Sequence, residues 1–103
     1  SVPPQIVPFD FGEESTNSGD MATVNCAVSK GDFPLKIQWT FNGKPIQTVD
    51  GVTVGQMSKR LSTLSIDSVE AMHAGNYMCT AKNKAGTISH SAVLNVNGTC
   101  CRF

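Results

Sequence analysis

The chain has 103 residues, enough for one domain and too few for two. Lysine plus arginine balance aspartate plus glutamate at 8 each, so no basic surplus exists to neutralise a phosphate backbone, and nucleic acid is not an expected partner. No apolar run approaches the roughly 20 residues that a membrane-spanning helix needs. The opening Ser1-Val2-Pro3-Pro4 lacks a signal-peptide pattern and reads as a cut through an interdomain linker.

Taken in chain order, the pattern has a period of two residues. Residues 5–9 and 13–17 form a first strand split by Asp10-Phe11-Gly12. Over 21–29, Ala22, Val24, Cys26 and Val28 alternate with Thr23, Asn25 and Ala27, which predicts a half-buried strand. Lys30-Gly31-Asp32 ends it. Over 35–41, Leu35, Ile37, Trp39 and Phe41 face one way, and Lys36, Gln38 and Thr40 the other. Asn42-Gly43 follows, the pair that a type I′ hairpin turn selects because both central positions need positive φ. Asp50-Gly51 marks the next loop. Strands are then predicted at 52–58 and 61–67, the second with Leu64 and Ile66 alternating with Thr63, Ser65 and Asp67. Residues 69–74 read as a single helical turn. Over 76–83, Tyr77, Cys79 and Ala81 alternate with Met78 and Thr80. Asn83-Lys84-Ala85-Gly86 is a further hairpin turn, and a last strand at 87–96 carries Ala92, Leu94 and Val96. Many short strands with turns every ~8–12 residues predict an all-β antiparallel sandwich or barrel.

Four cysteines, Cys26, Cys79, Cys100 and Cys101, allow three pairings on paper. Cys26 and Cys79 fall on inward positions. Trp39 is inward too, thirteen residues after Cys26, and Tyr77 precedes Cys79 by two. This Cys…Trp…Tyr-x-Cys spacing is that of an immunoglobulin-like core. A disulfide pins two sheets, the indole packs against it, and the tyrosine hydroxyl caps a turn. Closing the 26–79 loop would stabilise the domain by about 4 kcal/mol in the chain-entropy model. Two buried free thiols are the alternative.

The stretch Leu64 to Val69, followed by His73 to Gly86 and Ser91 to Val96, resembles the I-set branch of the immunoglobulin superfamily, and the likeness covers residues 4–96. It implies an immunoglobulin-like antiparallel β-sandwich with Greek-key connections. One position departs. His73 stands where that branch usually has an aspartate paired with a basic residue, here Lys59 or Arg60. The ion pair is therefore not carried over, and His73 is expected as a surface turn residue. At the front, Val2 to Ser15 with its Pro8-Phe9-Asp10-Phe11-Gly12 run, then Lys30-Gly31-Asp32 and Pro34-Leu35, resembles the seventh immunoglobulin domain of the insect Dscam family. That resemblance implies an alternatively spliced, isoform-specific homophilic module of a neuronal adhesion receptor, acting in self-recognition and axon guidance and made by immune cells as well. It also implies the extracellular part of a cell-surface membrane protein. The partners would be an identical copy (a homodimer) and the neighbouring immunoglobulin domains of a parent chain.

No catalytic or metal constellation is expected. His73 and His90 have no partner at ligand spacing, Cys100-Cys101 are adjacent, and the acidic doublet Glu13-Glu14 reads as a solvated strand edge. Neither a nucleophile elbow nor a phosphate-cradling glycine loop is present. The reading is therefore of no enzyme, no cofactor and no small-molecule substrate. Asn97-Gly98-Thr99 is a glycosylation sequon, unless it belongs to a linker. Residues 1–98 are taken as the single domain, and 99–103 as a tail that does not resemble the continuation into a following domain.

In immunoglobulin lettering, the outward residues of the A-B-E-D sheet are Met21, Thr23, Asn25 and Ala27 on B, Leu61, Thr63 and Ser65 on E, and Met57 and Lys59 on D. Methionine and leucine stand where a solitary domain usually places charge, a pattern that marks interface centres. Scattered exposed apolar residues are normal on any protein. The Dscam-family likeness implies that two antiparallel copies pair through this face, which gives Met21, Thr23, Asn25, Met57, Lys59, Leu61 and Thr63 as the homophilic candidates. Two other roles fit the pattern. One is a structural spacer of the muscle-filament kind with free thiols. The other is a heterophilic receptor module binding through loops 30–34 and 83–86.

Overall fold

Alternating apolar and polar residues become two packed sheets in the computed structural model of the chain, which describes residues 2–12 and 15–97. The strands are β1 (Gln5–Ile6), β2 (Thr16–Asn17), β3 (Ala22–Lys30), β4 (Lys36–Phe41), β5 (Lys44–Pro45), β6 (Val52–Ser58), β7 (Leu61–Ile66), β8 (Gly75–Asn83), β9 (Gly86–Leu94) and β10 (Val96–Asn97). One sheet has the order β1-β3-β7-β6, which is A-B-E-D. The other has the order β5-β4-β8-β9, and β2 runs parallel to β10 beside it. This is the immunoglobulin-type sandwich that the cysteine, tryptophan and tyrosine spacing predicts. The Asn42-Gly43 turn has φ of 49° and 83°, the paired positive values that a type I′ turn demands, and it joins β4 to a short β5 that the alternation does not announce.

The first strand is shorter than its pattern suggests. Pro8 cannot donate to a ladder, and the Asp10 carboxylate accepts the Gly12 amide at 2.9 Å in a local turn. Here the chain leaves one sheet for the other. Phe9 enters the sandwich with its ring 5.5 Å from Trp39 and 4.5 Å from His90, and Phe11 lies edge-on to Tyr77 at 5.3 Å. The Pro-Phe-Asp-Phe-Gly run is thus a crossover whose two phenyl rings close the side of the core. Glu13, Glu14, Cys100 and Cys101 lie outside the described residues.

Cys26 and Cys79 are joined by a disulfide and are fully buried. Trp39 packs in the same layer, and its indole N–H donates to the Ser62 hydroxyl at 2.9 Å. Ser62 is only 3% exposed, a polar side chain facing inward directly opposite Cys26 in the ladder. The bond to the indole accounts for it, because both groups would otherwise be buried unpaired. Leu64, Ile66, Val24, Val69 and Leu94 fill the remaining core. Tyr77 is wholly buried, and its hydroxyl donates to the carbonyl of His73 at 2.7 Å.

His73 is not the surface residue that its turn position suggests; it is 0% exposed. It ends a short 3-10 turn, Ala71–His73. Ring Nδ1 accepts the Glu70 amide at 2.9 Å, and Nε2 lies 2.8 Å from the Asp50 carbonyl, to which it donates. Both ring nitrogens therefore have backbone partners, which removes the desolvation cost that would keep an imidazole at the surface. The ring ties the turn between β7 and β8 to the loop that leads into β6. Arg60, with no aspartate opposite it in the turn, donates instead to the carbonyls of Val28 and Gly31 at 3.4 and 2.9 Å.

Ser62→Ala leaves the indole N–H unpaired in the core. It is expected to lower the unfolding free energy by about 1–3 kcal/mol in urea denaturation, and an unshifted midpoint would show that the bond contributes nothing. Burial raises the Tyr77 phenol from 10.0 to about 12. The folded state thus holds this proton more tightly than the unfolded chain does. The stability it contributes is complete below pH 10.0 and is lost as pH climbs through about 12. Alkaline unfolding in that window should be blunted in Tyr77→Phe when both proteins are followed by circular dichroism across the titration.

Candidate binding face

The outer surface of the β1-β3-β7-β6 sheet is laid out in cross-strand rows. Thr23, Ser65 and Thr53 form one row, Asn25, Thr63 and Gly55 the next, and Ala27 and Leu61 the one after. Buried Val24, Cys26, Leu64 and Ile66 hold the opposite phase, so these rows point to solvent. No acidic residue occurs in any of the four strands, and Lys30 at the end of β3 is their only charge.

Met57 sits at a bulge in β6, between Gln56 paired with Ser62 and Ser58 paired with Leu61. A Cβ placed on Gly55 would meet the Met57 sulfur at 3.9 Å, so the thioether leans over the outward side of that glycine. Met57 is 68% exposed, and Met21, just before β3, is 61% exposed. The two lie at opposite ends of the face. β3 and β6 run the same way on either side of β7. Met21 is level with the Ile66 end, and Met57 with the Leu61 end, about 17 Å further along the strands.

Two threonine hydroxyls on the face are already engaged within it. The Thr63 hydroxyl donates to Asn25 Oδ1 at 2.8 Å, and the Thr23 hydroxyl donates to the Leu64 carbonyl at 3.0 Å. Covering Thr23 and Thr63 therefore strands neither hydroxyl, and their methyl groups remain to be buried. Thr53 and Gly55 belong to the rows as well. The register of β6 against β7, which local sequence does not announce, brings them there.

Lys59 does not share the face. It occupies the two-residue turn between β6 and β7, and its ammonium stands 5.5 Å from the centre of the Phe33 ring. The Arg60 guanidinium is 4.5 Å from the same ring. Both cations are drawn round the end of the sheet by this aromatic ring in the loop after β3. At the other extremity Asn97, on β10, is exposed and donates its amide to Asn17 Oδ1 at 2.9 Å. Gly98 and Thr99 of its sequon fall outside the described residues.

A disulfide-pinned sandwich of two antiparallel sheets with this strand order defines a class: the immunoglobulin-type β-sandwich domain. The comparisons place it more narrowly. Residues 3–83 match the immunoglobulin domain family, and the chain belongs to that family. It is 50% identical over 97 residues, 93% of its length, to the cell adhesion molecule Dscam1 of Drosophila melanogaster, of which it spans 5%. The crystal structure of the Dscam1 Ig7 domain, isoform 5, superposes with a TM-score of 0.91 at 45% identity, covering 94% of this chain and 99% of that one. The I-band fragment I67–I69 of titin superposes at 0.80 with 29% identity, covering 91% of this chain and 32% of the fragment. The sequence likeness is thus greater to the Dscam1 domain than to the titin fragment.

Because its side chain is solvated, Met57→Asp should leave the fold intact. Its unfolding free energy is expected to stay within about 0.5 kcal/mol of the parent in urea, and a larger loss would place Met57 in the core.

Proposed function

We propose that the domain is a homophilic adhesion module that pairs with an identical copy through its β1-β3-β7-β6 face. The observation that carries this reading is the face itself, free of acidic residues along its strands, with an exposed methionine at each end. A two-fold interface must complement itself, since each residue meets its counterpart's surroundings twice. With the copies antiparallel, Met21 of one lies near Met57 of the other, and the Asn25-Thr63-Gly55 row sits close to the axis.

Charge supports the antiparallel sense. Lys59 and Arg60 flank one end of the sheet. Asp20, Asp50 and Asp67 lie at the other, just before β3, before β6 and after β7. A parallel pairing would bring like ends together, whereas the antiparallel one sets cations beside carboxylates. The same geometry supports isoform specificity. A substitution on the face acts twice in a like pair and leaves an unlike pair mismatched.

Such a face offers on the order of 800 Å² per partner, the standard size for specific contacts. In a receptor with several self-binding domains, the further contacts become intramolecular and avidity rises steeply. The disulfide and the adhesion relatives support an extracellular setting, on the ectodomain of a membrane receptor beside other immunoglobulin domains. An Asn97 glycan would fit there, because that side chain is exposed and lies off the proposed face.

Sedimentation equilibrium of residues 1–98 is expected to show a concentration-dependent dimer that weakens with added salt and disappears in Met57→Asp. Dimerisation unchanged in that variant would exclude this face. A strict monomer that binds another protein through loops 30–34 and 83–86 would point instead to a heterophilic module.

A further inference from the structure

The second sheet has a different chemistry on its outer side. On β4, β8 and β9 the buried or half-buried residues Ile37, Trp39, Cys79, Ala81 and Ala92 take the inward phase, so Lys36, Gln38, Thr80, Lys82, Thr87 and Ser89 face solvent. Lys36 stands directly opposite Lys82 in the ladder, and Lys84 follows in the turn between β8 and β9. Between residues 36 and 45, and again between 75 and 94, there is no aspartate or glutamate at all. Two like charges facing each other across adjacent strands destabilise a sheet. An anion laid between them would reverse the sign of that interaction.

Asp32 lies in the loop that leads into β4. Its carbonyl accepts from Asn83, which precedes Lys84, and one carboxylate oxygen accepts the Val2 amide at 2.9 Å. Around the lysines lie hydroxyl and amide groups able to donate to anionic oxygens. Thr80 and Ser89 share a hydrogen bond at 3.1 Å, Thr87 pairs with Lys82, and Gln38 pairs with Thr80. The aromatic rings of these strands, Trp39, Phe41 and Tyr77, are buried or half-buried on the inward phase, so the outer face lacks the stacking platform that single-stranded nucleic acid uses.

We infer that the outer face of β4, β8 and β9, at the end carrying Lys36, Lys82 and Lys84, binds a sulfated polysaccharide. A flexible chain of sulfated sugars supplies regularly spaced anions to a flat strip and needs neither a groove nor a ring to stack on. This rests on the extracellular reading of the domain and not on self-pairing. The homophilic face lies on the other side of the sandwich, so both surfaces can be occupied at once.

The test is titration of the disulfide-bonded domain with a heparin octasaccharide at 50 mM salt. Three cations on a flexible polyanion imply a salt exponent near 2, so affinity should fall about 20-fold between 50 and 200 mM salt. Lys36→Gln with Lys82→Gln should cost about 10-fold in affinity. Lys44→Gln, at the opposite end of β4, and Met57→Asp on the other sheet should bind as the parent does. Lys82→Gln alone should also raise the melting temperature without ligand, because it removes the like-charge pair. Absence of binding at 50 mM salt would overturn the assignment. So would equal losses in Lys44→Gln, or an oligothymidylate of equal charge binding as tightly. Binding retained in a Met57→Asp variant that no longer dimerises would support this surface independently of the homophilic one.

Discussion

The Cys26–Cys79 disulfide sets the phase of every surface that binding could use. A strand's side chains alternate with a period of two, so one residue locked inward assigns all the others. With Cys26 held against Cys79 and Trp39, Thr23 and Asn25 must point out. The ladder then carries that phase outward. Cys26 faces Ser62, which turns Leu61 and Thr63 to solvent, and Thr63 faces Gly55, which fixes β6. Cys79 does the same for the second sheet, and Lys82 falls on its outer side for the same reason. A slip of one residue would exchange a core of valine and leucine for a row of threonine and asparagine. The indole bond to Ser62 adds a directional check, because only one register brings that hydroxyl beneath Trp39.

Much of this was legible in the sequence because period-two alternation is a strong signal wherever one side is fully buried. The long strands β3, β4, β6, β7, β8 and β9 lie within about two residues of where the pattern puts them. What the sequence concealed depends on contacts between distant segments. Nothing around His73 says that the Glu70 amide and the Asp50 carbonyl will both reach its ring. A histidine in a polar turn looks solvated until its partners are in place. Lys59 is a second case. Strand phase alone would keep it on the sheet face, but the turn and the Phe33 ring carry it round the end. The bulge at Gln56 to Ser58 likewise leaves no mark in local composition, although it decides how Met57 is presented.

Net charge was the least informative quantity in the sequence, because balance hides arrangement. All the aspartates and glutamates of the described residues lie between strands, none within one. Lysines, by contrast, enter the sheets at Lys30, Lys36, Lys44 and Lys82. Cations outnumber carboxylates around the loop after β3, where Lys59 and Arg60 sit on Phe33 and Asp32 is the one acid, while Asp20, Asp50, Asp67 and Glu70 mark the other end. A molecule with no net charge therefore has a directional field, which two copies can satisfy by lying head to tail side by side.

The two sheets then divide the work by the way they treat polar groups. On one, the Thr23 and Thr63 hydroxyls bond to a backbone carbonyl and to Asn25 and the outward rows carry no charge, so specificity lies in shape and small side chains. On the other, ammonium groups are set against each other with nothing nearby of opposite sign in the same strands. The first arrangement suits burial against a protein of the same shape, and the second suits a mobile, strongly hydrated anion. A rigid covalent link between the sheets is what allows both to persist. Neither face has to supply the core's stability, so each can carry residues that packing alone would not have selected.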